Sequence, residues 1–423
     1  MEKRFANSAA AVRYVTAVPK PQGRTMRNVP FPKRRTVRFG FVGLGGRGTG
    51  QLREMLAVRG ALITAVSDPT EAVMLRARDL VVEKGQPAPA LEGDWRRLCR
   101  RDDVDVVYIC SPWDWHVPQA VCAMENGKHA AVEVPAATTL ADCWRLVDSS
   151  EATRRHCVIL ENCCYGYNEL LALNLVRRGM LGAITHGEAA YIHDLRTILL
   201  ADHGEGRWRR TPHIQRNGNL YPTHGLGPVA RYMNIHQGDR FTRIVSMSSR
   251  SAALQAYRDE HLKPSDGKRR ERYRCGDMNS ALIQTAAGCS ILLQHDVVTP
   301  RPYSRLNLVQ GTRGAFADYP GRVFIDGRHK GKHAWEPVEA YKRFQHPLWK
   351  KHGKAAAKLG GHGGMDFLMN FRLVEAFQKG EAPDMDVYDA AAWSAPGLLT
   401  DISVAFDGLA LPYPDFTRGH WRR

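Results

Sequence analysis

Gly43-Leu44-Gly45-Gly46-Arg47-Gly48 follows directly on the apolar run 37–42. Glycines at this spacing let a chain turn tightly out of a strand, bring backbone N–H groups up to a diphosphate, and pack the next helix close to the sheet. The start of that helix adds unpaired N–H groups and the positive end of its dipole. Asp68 ends the next apolar run, twenty residues beyond Gly48, where a carboxylate accepts from both hydroxyls of a ribose. A carboxylate there repels a 2′-phosphate, so the expected ligand is NAD rather than NADP. Gly43, Gly45, Gly48 and Asp68 are its expected contacts, with Arg47 on the diphosphate. Glycine spacing alone is a weak signal; the order strand, turn, helix, strand, acid makes it specific.

The elements that must position this turn alternate along 37–162. Strands are expected at 37–42, 61–67, 104–110, 129–132 and 157–160, with helices at 49–59, 71–84 and 140–151. That alternation predicts an α/β fold with an N-terminal Rossmann domain, a doubly wound parallel sheet. Beyond 162 the texture changes. Strand-like runs at 183–192, 244–248, 280–285, 290–297, 306–310 and 322–325 follow one another with few helices between them. They predict a C-terminal α+β domain with a large, open, mostly antiparallel sheet. Helices are expected at 167–178, near 226–233, and at 365–378 and 388–406. The expected division is a basic, flexible arm over 1–36, an NAD-binding domain over 37–162, and a substrate-binding domain over 163–423 whose last helices pack back.

At 423 residues the chain is long for a single core. Its net charge of +17 is concentrated. In 1–36, Lys3, Arg4, Arg13, Lys20, Arg24, Arg27, Lys33, Arg34 and Arg35 face one acid, Glu2. The stretches 263–274 and 330–358 are also basic and are expected as surface loops. Without a helix-turn-helix or zinc-finger spacing, this charge is expected to solvate tails and loops rather than bind nucleic acid. No apolar run approaches the roughly 20 residues that span a bilayer, so no membrane partner is expected. The nine cysteines show no CxxC spacing and fit a reduced compartment. The chain is thus expected in the cytoplasm as it stands, and in the periplasm where a leader has been removed. No metal is expected: His186 and Glu188 share one side of a strand and His193 lies on the other, and there is no HExxH.

Longer motifs carry a family resemblance. Past the glycine turn the chain resembles the superfamily of glucose–fructose oxidoreductase and inositol dehydrogenases, whose members carry Glu-Lys-Pro at the end of a later strand. This chain has Glu133-Val134-Pro135, which removes the usual proton-transfer ammonium. Ser111-Pro112-Trp113-Asp114-Trp115-His116, Leu160-Glu161-Asn162-Cys163-Cys164-Tyr165 and Tyr191-Ile192-His193-Asp194-Leu195-Arg196 are similar to glycoside hydrolase family 109. So are the runs Asn217 through Gly225 and Gly360-Gly361-His362-Gly363-Gly364-Met365-Asp366. The resemblance implies an NAD-dependent α-N-acetylgalactosaminidase. It places NAD against Gly46, Arg47, Asp68, Trp113, Asp114, Trp115, His116, Glu133, Val134 and Asn162. It places the sugar against Tyr191, Arg209, Tyr221, Pro222, Thr223, His224 and Tyr303.

The chemistry that the resemblance implies is a retaining hydrolysis. The sugar is transiently oxidised at carbon 3 by tightly bound NAD, which acidifies the proton on carbon 2. Elimination expels the aglycone, water adds, and the hydride returns, so the cofactor is recycled. This needs bases near carbons 3 and 2 and an acid for the leaving oxygen, but no paired carboxylates. His224, Tyr191, Tyr303 and His362 are the expected catalytic groups. Each has a plainer alternative: His224 as a helix cap, the tyrosines as core packing, and His362, between paired glycines, as part of a flexible linker rather than a mobile acid/base. Two other functions stand beside this one, an NAD-dependent sugar dehydrogenase and a non-catalytic, NAD-bound sugar-binding protein. The open sheet is the expected surface for pairing with a second copy.

Overall fold

The computed structural model describes residues 5–328 and 334–422. The chain forms two compact units. The first comprises Pro19–Gly166 and Pro347–Ser394; the second comprises the stretch up to Val18, Tyr167–His346 and Ala395–Arg423. Pro347–Ser394 therefore folds with the N-terminal sheet, which a single cut after residue 162 does not anticipate.

The first unit is built on six parallel strands: β1 (Val37–Val42), β2 (Ala61–Ser67), β3 (Ala90–Glu92), β4 (Val106–Ile109), β5 (His129–Val132) and β6 (Cys157–Ile159). Their order is β3-β2-β1-β4-β5-β6. The order reverses between β1 and β4, and in such sheets ligands bind beyond the carboxyl ends of the strands at the reversal. β4 and β5 are buried throughout, as expected of strands covered on both faces. This bears out the predicted Rossmann sheet.

The second unit holds nine strands: β7 (Ile184–Ile192), β8 (Phe241–Ser248), β9 (Asn279–Thr285), β10 (Ser290–Asp296), β11 (Leu308–Gly311), β12 (Gly314–Ala317), β13 (Arg322–Ile325), β14 (Glu336–Pro337) and β15 (Leu411–Pro412). Their order is β14-β13-β12-β11-β7-β10-β9-β8-β15. The β7–β10 pair is parallel and the others are antiparallel, as predicted. Helix Thr223–Tyr232 lies on β7 and helix Pro396–Ala405 on β8. Gly225 permits the first contact: a Cβ there would come 2.3 Å from the Ala190 nitrogen. On the sheet's other side Met247 and Leu282 are exposed.

Three expectations need correction. The arm 1–36, read as flexible from its charge, is structured where described. Residues Ser8–Thr16 form a helix capped by Asn7, and Met26 and Phe31 are buried. Phe31 stacks on Phe377 at 3.9 Å between centroids and stands edge-on to His156. A few well-spaced apolar residues outweigh the many cations, whose side chains are largely left at the surface. The basic stretch 330–358, read as a loop, is helical over Pro347–Leu359; residues 329–333 lie outside the described residues. Trp349 and Ala356 anchor that helix, with Trp349 Nε1 donating to the Tyr165 carbonyl at 2.9 Å. The single helix expected at 388–406 is two, Val387–Ser394 and Pro396–Ala405. Pro396 has no N–H to continue the first and opens the second.

Candidate active site

The glycine turn has the geometry that its spacing predicts. Gly43 sits at φ 82, in the left-handed region, and a Cβ there would meet the Ser111 nitrogen at 2.6 Å. A Cβ on Gly48 would come 1.9 Å from the Gly43 carbonyl oxygen. Gly45 and Gly46, by contrast, face open space, with nothing within 4 Å of either virtual Cβ. Helix Gly46–Leu56 begins there without a side-chain cap, leaving its first N–H groups to an anion. Asp68 is oriented by the backbone: Oδ2 accepts from Leu44 N–H and Oδ1 from Thr70 N–H, each at 2.9 Å. A cradle open where the turn is smallest, and a fixed carboxylate after β2, fit a dinucleotide.

The Trp113–His116 segment opens a helix, Trp113–Glu125, which the sequence pattern did not predict. Asp114 lies in its first turn and Trp115 is exposed, whereas Trp113 and His116 are buried. The two His116 ring nitrogens face the carbonyls of Pro135 and Ser111 at 2.9 and 2.7 Å. That ring therefore ties loops together rather than facing a ligand.

Arg47, expected on the diphosphate, is turned elsewhere. Its Nε donates to Glu133 Oε1 at 2.7 Å and its Nη1 to Asp366 Oδ2 at 3.0 Å. Asn162 Nδ2 donates to the other Asp366 oxygen at 2.8 Å. His362 joins the same carboxylate, with Nδ1 2.6 Å from Oδ2. Its segment Gly361–Gly364 is a tight turn with His362 at φ 46, and Gly361 N–H donates to Glu54 Oε1 at 3.1 Å. The glycine-flanked histidine is thus docked, although its side chain is 58% exposed. Burial works against the charge on Asp366, but His362 and Arg47 outweigh it and hold the carboxyl far below the usual range. Burial pushes the Glu133 carboxyl up, with Arg47 opposing. Val134 is buried, and no cation stands at that position.

The second unit gathers the expected sugar-side residues. Tyr191, near the end of β7, packs against Tyr221 at 4.7 Å and edge-on to His224 at 5.3 Å between centroids. Tyr221 OH lies 3.5 Å from His224 Nε2, and Arg209 stacks over the Tyr221 ring at 4.8 Å. Pro222 is the N-cap of the following helix, with no side-chain cap bond, and Thr223 is fully buried. Tyr303 was expected at a strand end; it lies in the loop between β10 and β11, beside the Ile192–Ser304 bridge.

The pattern also missed a residue. Tyr191 OH lies 3.0 Å from His193 Nδ1, and the His193 ring stands edge-on to Tyr303 at 5.0 Å. Burial, with Arg209 and His224 nearby, lowers the His193 pKa, which favours a neutral, proton-accepting imidazole. Strand parity was the available signal, since 191 and 193 share a face.

Buried histidines elsewhere make stability depend on pH. Burial, with Arg154 and Arg155 nearby, lowers His156 to about 4, and burial with Arg209 lowers His213 to about 3. Unfolded, both take up a proton near pH 6.5. Their contribution is therefore complete above about pH 6.5 and is lost as pH falls through 4 and then 3. His156 alone accounts for about 3 kcal/mol. Thermal melts should show Tm falling steadily from pH 6.5 to 4, less steeply in His156→Leu; a flat wild-type profile would contradict this.

Fold and turn together define a protein of the NAD-binding oxidoreductase class. Residues 37–161 match the oxidoreductase family with the NAD-binding Rossmann fold. Levoglucosan dehydrogenase in complex with NADH shares the fold, with TM-score 0.71 and 17% identity over 90% of this chain and 100% of that one. Scyllo-inositol dehydrogenase from Lactobacillus casei follows at 0.62 and 13%, over 89% and 99%. Residues 165–423 match the glycosyl hydrolase 109 C-terminal domain. A glycosyl hydrolase family 109 protein of Solibacter usitatus is 51% identical over 94% of this chain and 92% of its own length. Another, of Streptomyces filamentosus, is 46% identical over 99% and 85%. The chain belongs to glycosyl hydrolase family 109: it is a glycoside hydrolase on an NAD-binding oxidoreductase fold. Among the described residues no helix is long and apolar enough to cross a membrane.

Proposed function

We propose that this enzyme cleaves terminal α-N-acetylgalactosamine, or a closely related glycoside, with retention. The observation that carries the choice of cleavage over oxidation is the division of proton-handling groups. Position 134, where the wider superfamily resemblance expects a lysine, is a buried valine. Arg47, the nearby cation, is a guanidinium paired with Glu133 and Asp366 and does not titrate. Proton transfer then falls to the Tyr191–His193–His224 cluster of the second unit, a set suited to glycoside elimination and poorly matched to a lysine-assisted dehydrogenase. NAD, when bound, supplies a hydride acceptor and donor at carbon 3 of the sugar.

The residues divide the remaining work. Gly45, Gly46 and the N-terminus of their helix hold the diphosphate, and Asp68 holds the ribose. Tyr191 takes the proton of a sugar hydroxyl as it passes its own to His193 Nδ1, 3.0 Å away. His224, between Tyr191 and Tyr221, serves the neighbouring carbon. Arg209, stacked over Tyr221, stands with it on the sugar side. His362, with Nδ1 paired to Asp366, exchanges a proton with the leaving oxygen through Nε2. The test follows nitrophenol and NADH together, with p-nitrophenyl α-N-acetylgalactosaminide as substrate. Nitrophenol without net NADH is expected, with solvent deuterium at carbon 2 of the released sugar. NADH accumulating from free sugars would favour a dehydrogenase. An unlabelled product would exclude elimination, and silence across glycosides would favour a binding protein.

A further inference from the structure

Glu169 and Arg305 form an ion pair in the second unit with only 2% and 6% of their surfaces exposed. Burying two ions costs desolvation that their attraction barely offsets, and an apolar pair of similar volume is often as stable. The pair therefore calls for a reason beyond stability, and its geometry supplies one. Arg305 Nη2 donates to Glu169 Oε1, while Nη1 donates to the Tyr303 hydroxyl at 2.9 Å.

Both ends of this arrangement are pinned. Glu169 lies in helix Tyr167–Arg177. The Arg305 carbonyl accepts from Ala190 N–H of β7 at 2.8 Å, and Ser304 exchanges two backbone bonds with Ile192, each 3.0 Å. The guanidinium lies 5.6 Å from the Tyr303 ring centroid and 5.7 Å from that of Tyr319. Tyr303 itself is 38% exposed, and its ring stands edge-on to Tyr191 and His193, residues of the candidate site.

Arginine has donors only. A phenol oxygen that accepts from Arg305 must direct its own hydrogen to a different acceptor. We propose that Arg305, held by Glu169, is a positioning residue that fixes the Tyr303 phenol as a hydrogen-bond donor toward an oxygen of the bound glycoside. This deepens the glycosidase reading above and rests on it for the identity of the acceptor. A planar guanidinium suits the task because one terminal nitrogen holds the carboxylate while the other meets the phenol.

The test uses the full chain loaded with NAD and labelled with 3-fluorotyrosine, the Tyr303 fluorine signal being assigned by its loss in Tyr303→Phe. Arg305→Met should shift and broaden that signal, and Arg305→Lys, which keeps a cationic donor, should restore it in part. Arg305→Met leaves Glu169 buried without its guanidinium, so Glu169→Gln with Arg305→Met supplies a variant lacking both charges. On p-nitrophenyl α-N-acetylgalactosaminide, the folded Arg305 variants should lose about tenfold in kcat with KM within about twofold, the mark of a contact strengthened in the transition state. An unmoved Tyr303 signal in the folded methionine variants would overturn the proposal, as would a raised KM at unchanged kcat. If the wild-type enzyme cleaves no glycoside, the glycosidase reading falls, and the fluorine signal alone decides whether Arg305 positions Tyr303.

Discussion

Asp366→Ala is expected to lower stability by about 3 kcal/mol and to release NAD during gel filtration that the wild type survives. For a unit of this size that is a fall in Tm of roughly 6–12 °C. The carboxylate is buried at 4% exposure and gathers Arg47, His362 and Asn162. Alanine leaves the Asn162 amide without this acceptor and Arg47 with Glu133 as its remaining carboxylate. Arg47 belongs to the phosphate turn, so the loss of its partner loosens the backbone that holds the diphosphate. Asp366→Asn, which keeps the shape and one acceptor, should fall between. His362→Ala removes one exposed partner and should cost under about 1 kcal/mol. An Asp366→Ala protein with wild-type Tm and full NAD content would show that this cluster does not support the turn.

Tyr191→Phe and His193→Ala are each expected to reduce kcat by about 100- to 1,000-fold while leaving bound NAD unchanged. Tyr191 OH and His193 Nδ1 are 3.0 Å apart, so they act as one proton-handling unit. The double variant should then be scarcely worse than the poorer single one, a departure from additivity that separates a coupled pair from two independent contacts. Because burial, Arg209 and His224 lower the His193 pKa, the imidazole stays neutral at more acidic pH than a free histidine. The acid limb of the kcat profile should accordingly lie below about pH 6.5 and should vanish in His193→Ala. Losses under about threefold, or additive ones, would remove the pair from the mechanism.

Much of the architecture was legible because burial writes itself into short apolar runs. Strands β1, β2 and β5 match their predicted limits residue for residue. Helix Trp113–Glu125 was not legible, because it opens directly after Pro112 and carries Pro118 inside. The break before Pro396 is masked for a different reason: both flanking segments are apolar, and periodicity alone joins them. Phe31 and Met26 stand among nine cations, whose charge masks two isolated apolar residues in a segment without periodicity.

The candidate site divides in the same way. The sequence by itself determined the glycine turn, Asp68, and the absence of a lysine at 134, since these depend on contiguous residues and strand order. It also brought His224 and Tyr191 forward through local motifs. Only the tertiary structure decided what Arg47 does, because its partners Glu133 and Asp366 lie on distant segments brought together by the sheet and by Pro347–Ser394. Tertiary structure likewise docked His362 and clamped Tyr303 through Arg305 and Glu169. Side-chain pairing between remote segments is set by packing geometry and by the cost of leaving a buried charge unpaired. Neither has a local pattern, whereas a backbone turn does.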